Sequence, residues 1–214
     1  VEQAPIAFDQ VIFRDLVADY AAKVDTQVIS GSGNNGEVLG LLGTAGILVV
    51  ASAGVTIANV YSAMANGIQK VHTARHMPPQ VIVMHPRRWG FFQSLLDTTN
   101  RPLFLPMGNN PQNAAGIVKA VASEQVVGDV QGLPVITDPN LPINLGGGTN
   151  QDPILILRAS DHFLWESGIR TRAYPETLAG QLTIKLQVFG YLAFTAGRFA
   201  ASTAEITGLT TPSF

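Results

Sequence analysis

The chain has 214 residues and an ordinary apolar fraction of 46%, but only 13% of it is charged, about half the usual share. A net charge of −2 and a pI near 6.1 argue against a nucleic-acid-binding face, and the lack of cysteine excludes disulfides, thiolate metal sites and thiol catalysis. So little charge implies that something other than water covers part of the surface, which fits an obligate oligomer better than a weakly charged monomer.

The chain begins at Val1, directly before a helix pattern and with no visible signal peptide, as expected of a processed or truncated product. A long first helix is expected over residues 6–28, because Ile12, Phe13, Leu16, Val17, Tyr20, Val24 and Val28 recur at three- and four-residue spacing. Pro5 and Asp9 suit its first turn, and Ser30-Gly31 stops it, with Gly31 expected to supply a left-handed closing residue. The following Gly31-Ser-Gly-Asn-Asn-Gly36 matches the letters of a dinucleotide fingerprint. That fingerprint needs a strand before it and a helix after it, so that backbone N–H groups point at phosphate; here a helix precedes it, and the segment reads as a loop.

Residues 38–69 carry no charge. Gly40, Gly43, Gly46 and Gly54 interrupt the run and its second half is amphipathic, so it does not read as a membrane span. A short strand is expected near residues 47–50. Thr56 then sits as the N-cap of a second helix whose apolar residues, Ile57, Val60, Tyr61, Met64, Ile68 and Val71, share one face for core packing. His72 and His76 sit four apart at its end, a metal-compatible spacing, but no Glu flanks the first, and histidines in a last turn also favour the helix dipole.

Residues 79–84 read as a buried strand, and Pro86 opens a third helix with Trp89, Phe92 and Leu96 on one face and Asn100 closing it. Residues 101–112 read as a loop. Residues 126–130 and 133–138 form two strands joined at Gln131-Gly132. A long loop, 139–152, without charge until Asp152, contains Gly146-Gly-Gly148 and reads as a flexible tip, since the strand at 154–157 follows it directly with no helix to orient N–H groups toward an anion.

The segment 182–196 places Leu182, Ile184, Leu186 and Val188 on one face and Thr183, Lys185 and Gln187 on the other, a strand alternation. At about 3.3 Å per residue it would span roughly 50 Å, so a bend near Gly190 is expected. Beyond Gly190 both faces are apolar, as in a strand covered on both sides. Strands and helices alternate only loosely, which makes the fold class mixed α+β. If the first helix packs on this closing strand, the middle of the chain is an insertion and the outer domain is discontinuous.

Several of these segments, in this order, resemble the tailed-phage major capsid proteins of the Hong Kong 97 fold. The long helix with Gly31-Ser-Gly-Asn-Asn-Gly-Glu-Val-Leu-Gly-Leu-Leu-Gly-Thr-Ala-Gly46 is similar to their spine helix and following loop. Val81-Ile-Val-Met-His-Pro-Arg-Arg-Trp89 resembles their strand-to-helix step, with His85 where Asn is common, a change expected to weaken the helix cap. Gly132-Leu-Pro-Val-Ile-Thr-Asp138 and Leu182-Thr-Ile-Lys-Leu186 are similar to their Gly-x-Pro-Val and closing strands. The resemblance covers nearly the whole chain.

The resemblance implies a Hong Kong 97-like fold: a long spine helix, a mixed-sheet axial domain and long C-terminal strands. The expected layout is a peripheral domain from residues 1–40 and 166–214 around an axial domain, 41–165, whose loops meet at fivefold and sixfold axes. It implies a structural subunit, with no cofactor, assembling into homo-pentamers and homo-hexamers and then a closed shell around DNA, in the virion capsid after assembly in a bacterial host's cytoplasm. Scaffold, protease and portal proteins are the implied partners; neither a specific nucleic-acid sequence nor a membrane is expected. The family's upstream N-terminal arm and extended loop are not seen in this sequence. Some members join subunits through a Lys–Asn isopeptide bond; Ala179-Gly180-Gln181 offers no Asn, so no such crosslink is expected.

The residues expected at the axial contact are Asn144, Gly146, Gly147, Gly148 and Thr149, since small uncharged residues let copies approach an axis without like-charge repulsion. For catalysis, no nucleophile elbow, zinc-protease motif or Walker lysine loop occurs. Asp9 with Asp15, and Asp25 with Glu37, have no distinguishing spacing, and Asp161-His162 beside Ser160 would point to opposite faces of a strand. An encapsulin-like nanocompartment shell is the alternative within the same fold; a small α+β ligand-binding or enzyme domain is the alternative from another class.

Overall fold

A computed structural model of the chain describes residues 8–106, 116–123, 126–174, 176, 179–181 and 184–212. In chain order the main elements are α1 (Phe8–Ser30), β1 (Leu48–Ala51), α2 (Ile57–Arg75), β2 (Val81–Met84), α3 (Pro86–Ser94), β3 (Phe104–Pro106), β4 (Gly116–Ser123) and β5 (Val126–Val130). There follow β6 (Leu133–Thr137), β7 (Ile154–Leu157), β8 (Phe163–Glu166), β9 (Arg170–Tyr174), β10 (Lys185–Phe189), β11 (Leu192–Thr195) and β12 (Thr203–Thr207).

Eight strands form one mixed sheet in the order β1-β12-β7-β2-β6-β5-β4-β3. Its centre is buried on both faces, which is why Val81-Ile-Val-Met84 and Ile154-Leu-Ile-Leu157 read as unbroken apolar runs. Ile82, Met84, Ile154 and Ile156 pack on one face beneath Val60, Met64 and Val71 of α2 and Trp89 and Phe92 of α3. Val81, Leu155 and Leu157 point the other way, against Ile29 at the end of α1 and Leu41, Leu141 and Ala196. Gly67 keeps α2 close to the sheet, where an added Cβ would lie 2.7 Å from Ile156 Cδ1.

Local signals place most boundaries. Gln131 (φ 51) and Gly132 (φ 81) are both left-handed and join β5 to β6 as a tight hairpin turn. His76 (φ 58) closes α2 in the left-handed conformation. Thr56 does occupy the N-cap of α2, but its hydroxyl makes no capping bond.

Four expectations are corrected. Gly31 does not close α1 in a left-handed conformation; it is needed for close approach, since a Cβ there would collide with the Val38 and Gln27 carbonyls. His85 caps α3 well, its Nδ1 accepting the Arg87 amide at 3.1 Å. α3 ends at Ser94 with Leu95 as its cap, and Asn100 belongs to a separate turn that the Asp97 carboxylate organises by accepting from Thr99 and Arg101. The stretch read as a loop from residue 101 contains β3, and residues 107–112 lie outside the described residues.

The closing strand is two strands. β10 pairs with β9 and β11 with β8, all antiparallel, so that residues 163–174 and 185–195 form a long two-stranded ribbon interrupted at Gly190. Leu182 and Thr183 lie outside the described residues. Across the interruption the ribbon is stitched by the Ser167 amide donating to the Tyr191 carbonyl and the Tyr191 amide donating to Ser167 Oγ, both at 2.8 Å. α1 packs against the ribbon where Tyr20 meets Gly190, whose missing side chain leaves room for the phenol. Among the described residues no helix is long and apolar enough to cross a membrane.

Candidate assembly surfaces

The loop expected at the axial contact is a built hairpin tip. Leu145 and Gln151 exchange backbone hydrogen bonds at 2.9 and 3.0 Å, and the Thr149 amide donates to the Gly146 carbonyl at 3.1 Å. Gly146 (φ 75) and Thr149 (φ 49) take the left-handed turns this requires. Asn144, Gly146, Gly147, Gly148 and Thr149 are all exposed, and the structure brings the five together on one protruding tip.

The tip rests on a charged clamp that has no local sequence signal. Asp152, with no exposed side-chain surface, accepts from Arg88 Nε and Nη2 at 2.9 and 2.8 Å and from Arg87 Nε and Nη2 at 3.0 and 2.6 Å. Arg88 Nη2 also donates to the Leu209 and Thr210 carbonyls, and Arg87 Nη2 to the Ile143 carbonyl. One carboxylate thus joins the start of α3, the tip and the segment after β12. Its nearest sequence clue is Arg87-Arg88 beside a buried strand, where a charge must find a partner.

Apolar surface is concentrated on α1 and the ribbon. Val11, Phe13 and Val17 of α1 are exposed, although the spacing of its apolar residues is that of a buried stripe. On the ribbon, Trp165 is 58% exposed and Tyr191 64%, and the Phe163 and Trp165 rings stack at 5.9 Å. Tyr191 and Ala193 are exposed, so the apolar half beyond Gly190 is not covered on both sides within one chain. Clustered exposed aromatics of this kind mark an interaction surface, whereas singly scattered ones do not.

The ribbon is rooted firmly. Asp161 accepts from Arg75 Nε at 2.7 Å, and the same guanidinium lies 3.9 Å from the Phe199 ring centroid. His162 Nε2 is 3.0 Å from Thr203 Oγ1, and burial pushes the imidazole pKa below its ordinary value. Residues 160–162 therefore do not converge as a catalytic set: Asp161 is engaged by arginine, His162 by threonine, and the Ser160 amide donates to Gln80.

The fingerprint-like loop is a closed turn. Ser32 pairs with Leu39, and the Glu37 carboxylate accepts from the Ser32 hydroxyl and amide, which holds its pKa below the usual range. His72 is exposed on α2 and His76 is its cap; no group of three metal-ligating side chains occurs among the described residues.

The α+β chain thus has a two-faced core and leaves apolar side chains of α1 and aromatic rings of the ribbon exposed, the kind of surface that proteins bury against partner chains. The phage capsid family model matches residues 1–177, and the chain belongs to that family. No curated protein matches the sequence. Among solved structures, the capsid of an empty GTA particle is similar over 96% of this chain and 67% of its own, with TM-score 0.68 and 13% identity. A Mycobacterium phage Adephagia structure is similar over 99% and 68%, with TM-score 0.65 and 14% identity. The SrpI encapsulin of Synechococcus elongatus is similar over 99% and 69%, with TM-score 0.62 and 14% identity. At such identities these likenesses bear on the fold, and it is that of capsid subunits.

Proposed function

We propose that this chain is the major capsid subunit of a phage or prophage, forming pentamers and hexamers that close into an icosahedral shell around DNA. The observation that carries the reading is the exposed apolar surface shared by α1 and the ribbon, on a chain with few charges and with membership of the phage capsid family. Its work is surface burial and not catalysis, through interfaces of about 2,000 Å² or more, as in obligate assemblies.

In this reading a peripheral domain is drawn from residues 1–40 and 166–214, holding α1 and most of the ribbon, and residues 41–165 form the axial domain, into whose sheet β12 returns to pair with β1 and β7. The Asn144 to Thr149 tip meets its symmetry mates at the capsomer axis. Scaffold, protease and portal proteins act with the subunit, and assembly takes place in the bacterial cytoplasm. Sedimentation of the full-length gene product, expressed alone, tests the proposal. Species of five or six copies and larger are expected; a monomer at every concentration contradicts it. Shells enclosing a specific cargo enzyme instead of DNA would favour the nanocompartment.

A further inference from the structure

The outer half of the ribbon has one basic face. The register pairs Lys185 with Tyr174, Gln187 with Arg172 and Phe189 with Arg170, and directly opposed residues lie on the same side of a two-stranded ribbon. Arg170, Arg172 and Lys185 therefore share a face with two aromatic rings and no carboxylate. All three cations are exposed, and none has an ion-pair partner among the described residues. The Arg172 guanidinium lies 5.4 Å from the Phe189 ring centroid and Arg170 6.0 Å from that of Tyr191, so the charges are held over aromatic surface.

A surface of opposite character lies elsewhere on the chain. Between the second half of α1 and the sheet runs a groove of about 620 Å³, lined by apolar side chains including Ala22, Val28 and Ile136 and carrying Asp25 and Asp138. Among the described residues neither carboxylate is in an ion pair, and the Asp138 carboxylate accepts the Asn140 amide, 2.8 Å away. Burial, and then the neighbouring Asp138 charge, push the Asp25 carboxyl pKa above its ordinary value, as expected of two carboxylates sharing a site with no cation.

We propose that the basic face of the ribbon in one subunit docks into the Asp25–Asp138 groove of the next. This rests on the self-assembly reading and deepens it by naming the contact. The two patches are different surfaces of the same chain, so their contact is head to tail, the kind that forms a ring when its rotation closes and an open filament when it does not. Aromatic stems beneath the arginines meet the apolar floor, and the guanidinium groups meet the two carboxylates. Charge matching of this kind fixes orientation and speeds encounter, as a ring of defined size requires.

The test is charge reversal in the full-length chain, read by sedimentation and electron microscopy. Arg170→Glu with Arg172→Glu is expected to lower the fraction in capsomers at least tenfold, and Asp25→Lys with Asp138→Lys to do the same. Combining all four is expected to restore assembly. Near-normal assembly of the arginine variant overturns this contact while leaving the shell reading intact, and failure of the fourfold variant to recover also overturns it. An arginine variant that assembles but loses nuclease-protected nucleic acid reassigns the face to packaged DNA. An unmodified chain that never assembles removes the self-assembly reading itself.

Discussion

Arg88 and Asp152 meet at 2.8 Å with neither side chain exposed to solvent, and they come from positions 64 residues apart. A buried ion pair stabilises little relative to well-packed apolar residues, but removing one partner strands the other charge. Asp152→Leu, which leaves the buried Arg88 guanidinium without a carboxylate, should therefore cost about 3–5 kcal/mol. Arg88→Met combined with Asp152→Leu should recover most of that loss, because Arg87 is partly exposed and can turn to water. Urea unfolding of the three chains measures both, and equal losses for single and double variants would contradict the account.

Gly190 and Tyr20 form the second test of packing. A Cβ at Gly190 would collide with the phenol hydroxyl and lie 3.0 Å from Cζ. Gly190→Ala should destabilise by about 1–3 kcal/mol, as overpacking does, and loosen α1 from the ribbon. Adding Tyr20→Phe removes the atom in closest conflict and should recover part of the loss. Hydrogen exchange in α1 and β10 reads the effect, and unchanged protection in Gly190→Ala would refute it.

Glu205 gives a pH dependence. Burial pushes its carboxyl pKa above the ordinary value, so the ionised form is penalised in the folded state. That penalty is fully present above the raised folded-state value and disappears below the ordinary value near 4.5. Glu205→Gln should thus raise the melting temperature at pH 8 and leave it nearly unchanged at pH 4. A difference that grows as the pH falls has the wrong sign for this explanation.

The Asn144 to Thr149 tip lacks charge, and a carboxylate placed there would be repeated around any axis the copies share. Gly147→Glu should weaken capsomer formation without lowering the melting temperature of the subunit, since Gly147 is exposed and a Cβ there meets no atom within 4 Å. Capsomer yield equal to that of the unmodified chain would remove the tip from the axis.

The sequence was most legible where one chain supplies both sides of a contact. α2, β2 and β7 have dense apolar patterns because their partners lie in the same sheet and core. β4, β8 and β9 carry no clear local signal: they are held by pairing, and Phe163-Leu-Trp-Glu166, exposed throughout, has no buried face to set an alternation. α1 is legible from its period, but Phe13 and Val17 on its stripe are exposed, which the proposed assembly attributes to partners outside the chain. Residue type alone marks His85 as a weak cap, whereas an imidazole whose Nδ1 accepts the Arg87 amide caps as an Asn would. The Arg87–Arg88–Asp152 clamp is purely tertiary. The axial tip was readable as small, uncharged and exposed, whereas the basic ribbon face depends on cross-strand register, which the sequence does not contain.

Negative-stain electron microscopy of the full-length gene product, expressed alone, tests the central claim most directly. The account predicts rings of five and six copies and closed shells. A stable monomer with no rings or shells, at high concentration and across a range of salt, would contradict it.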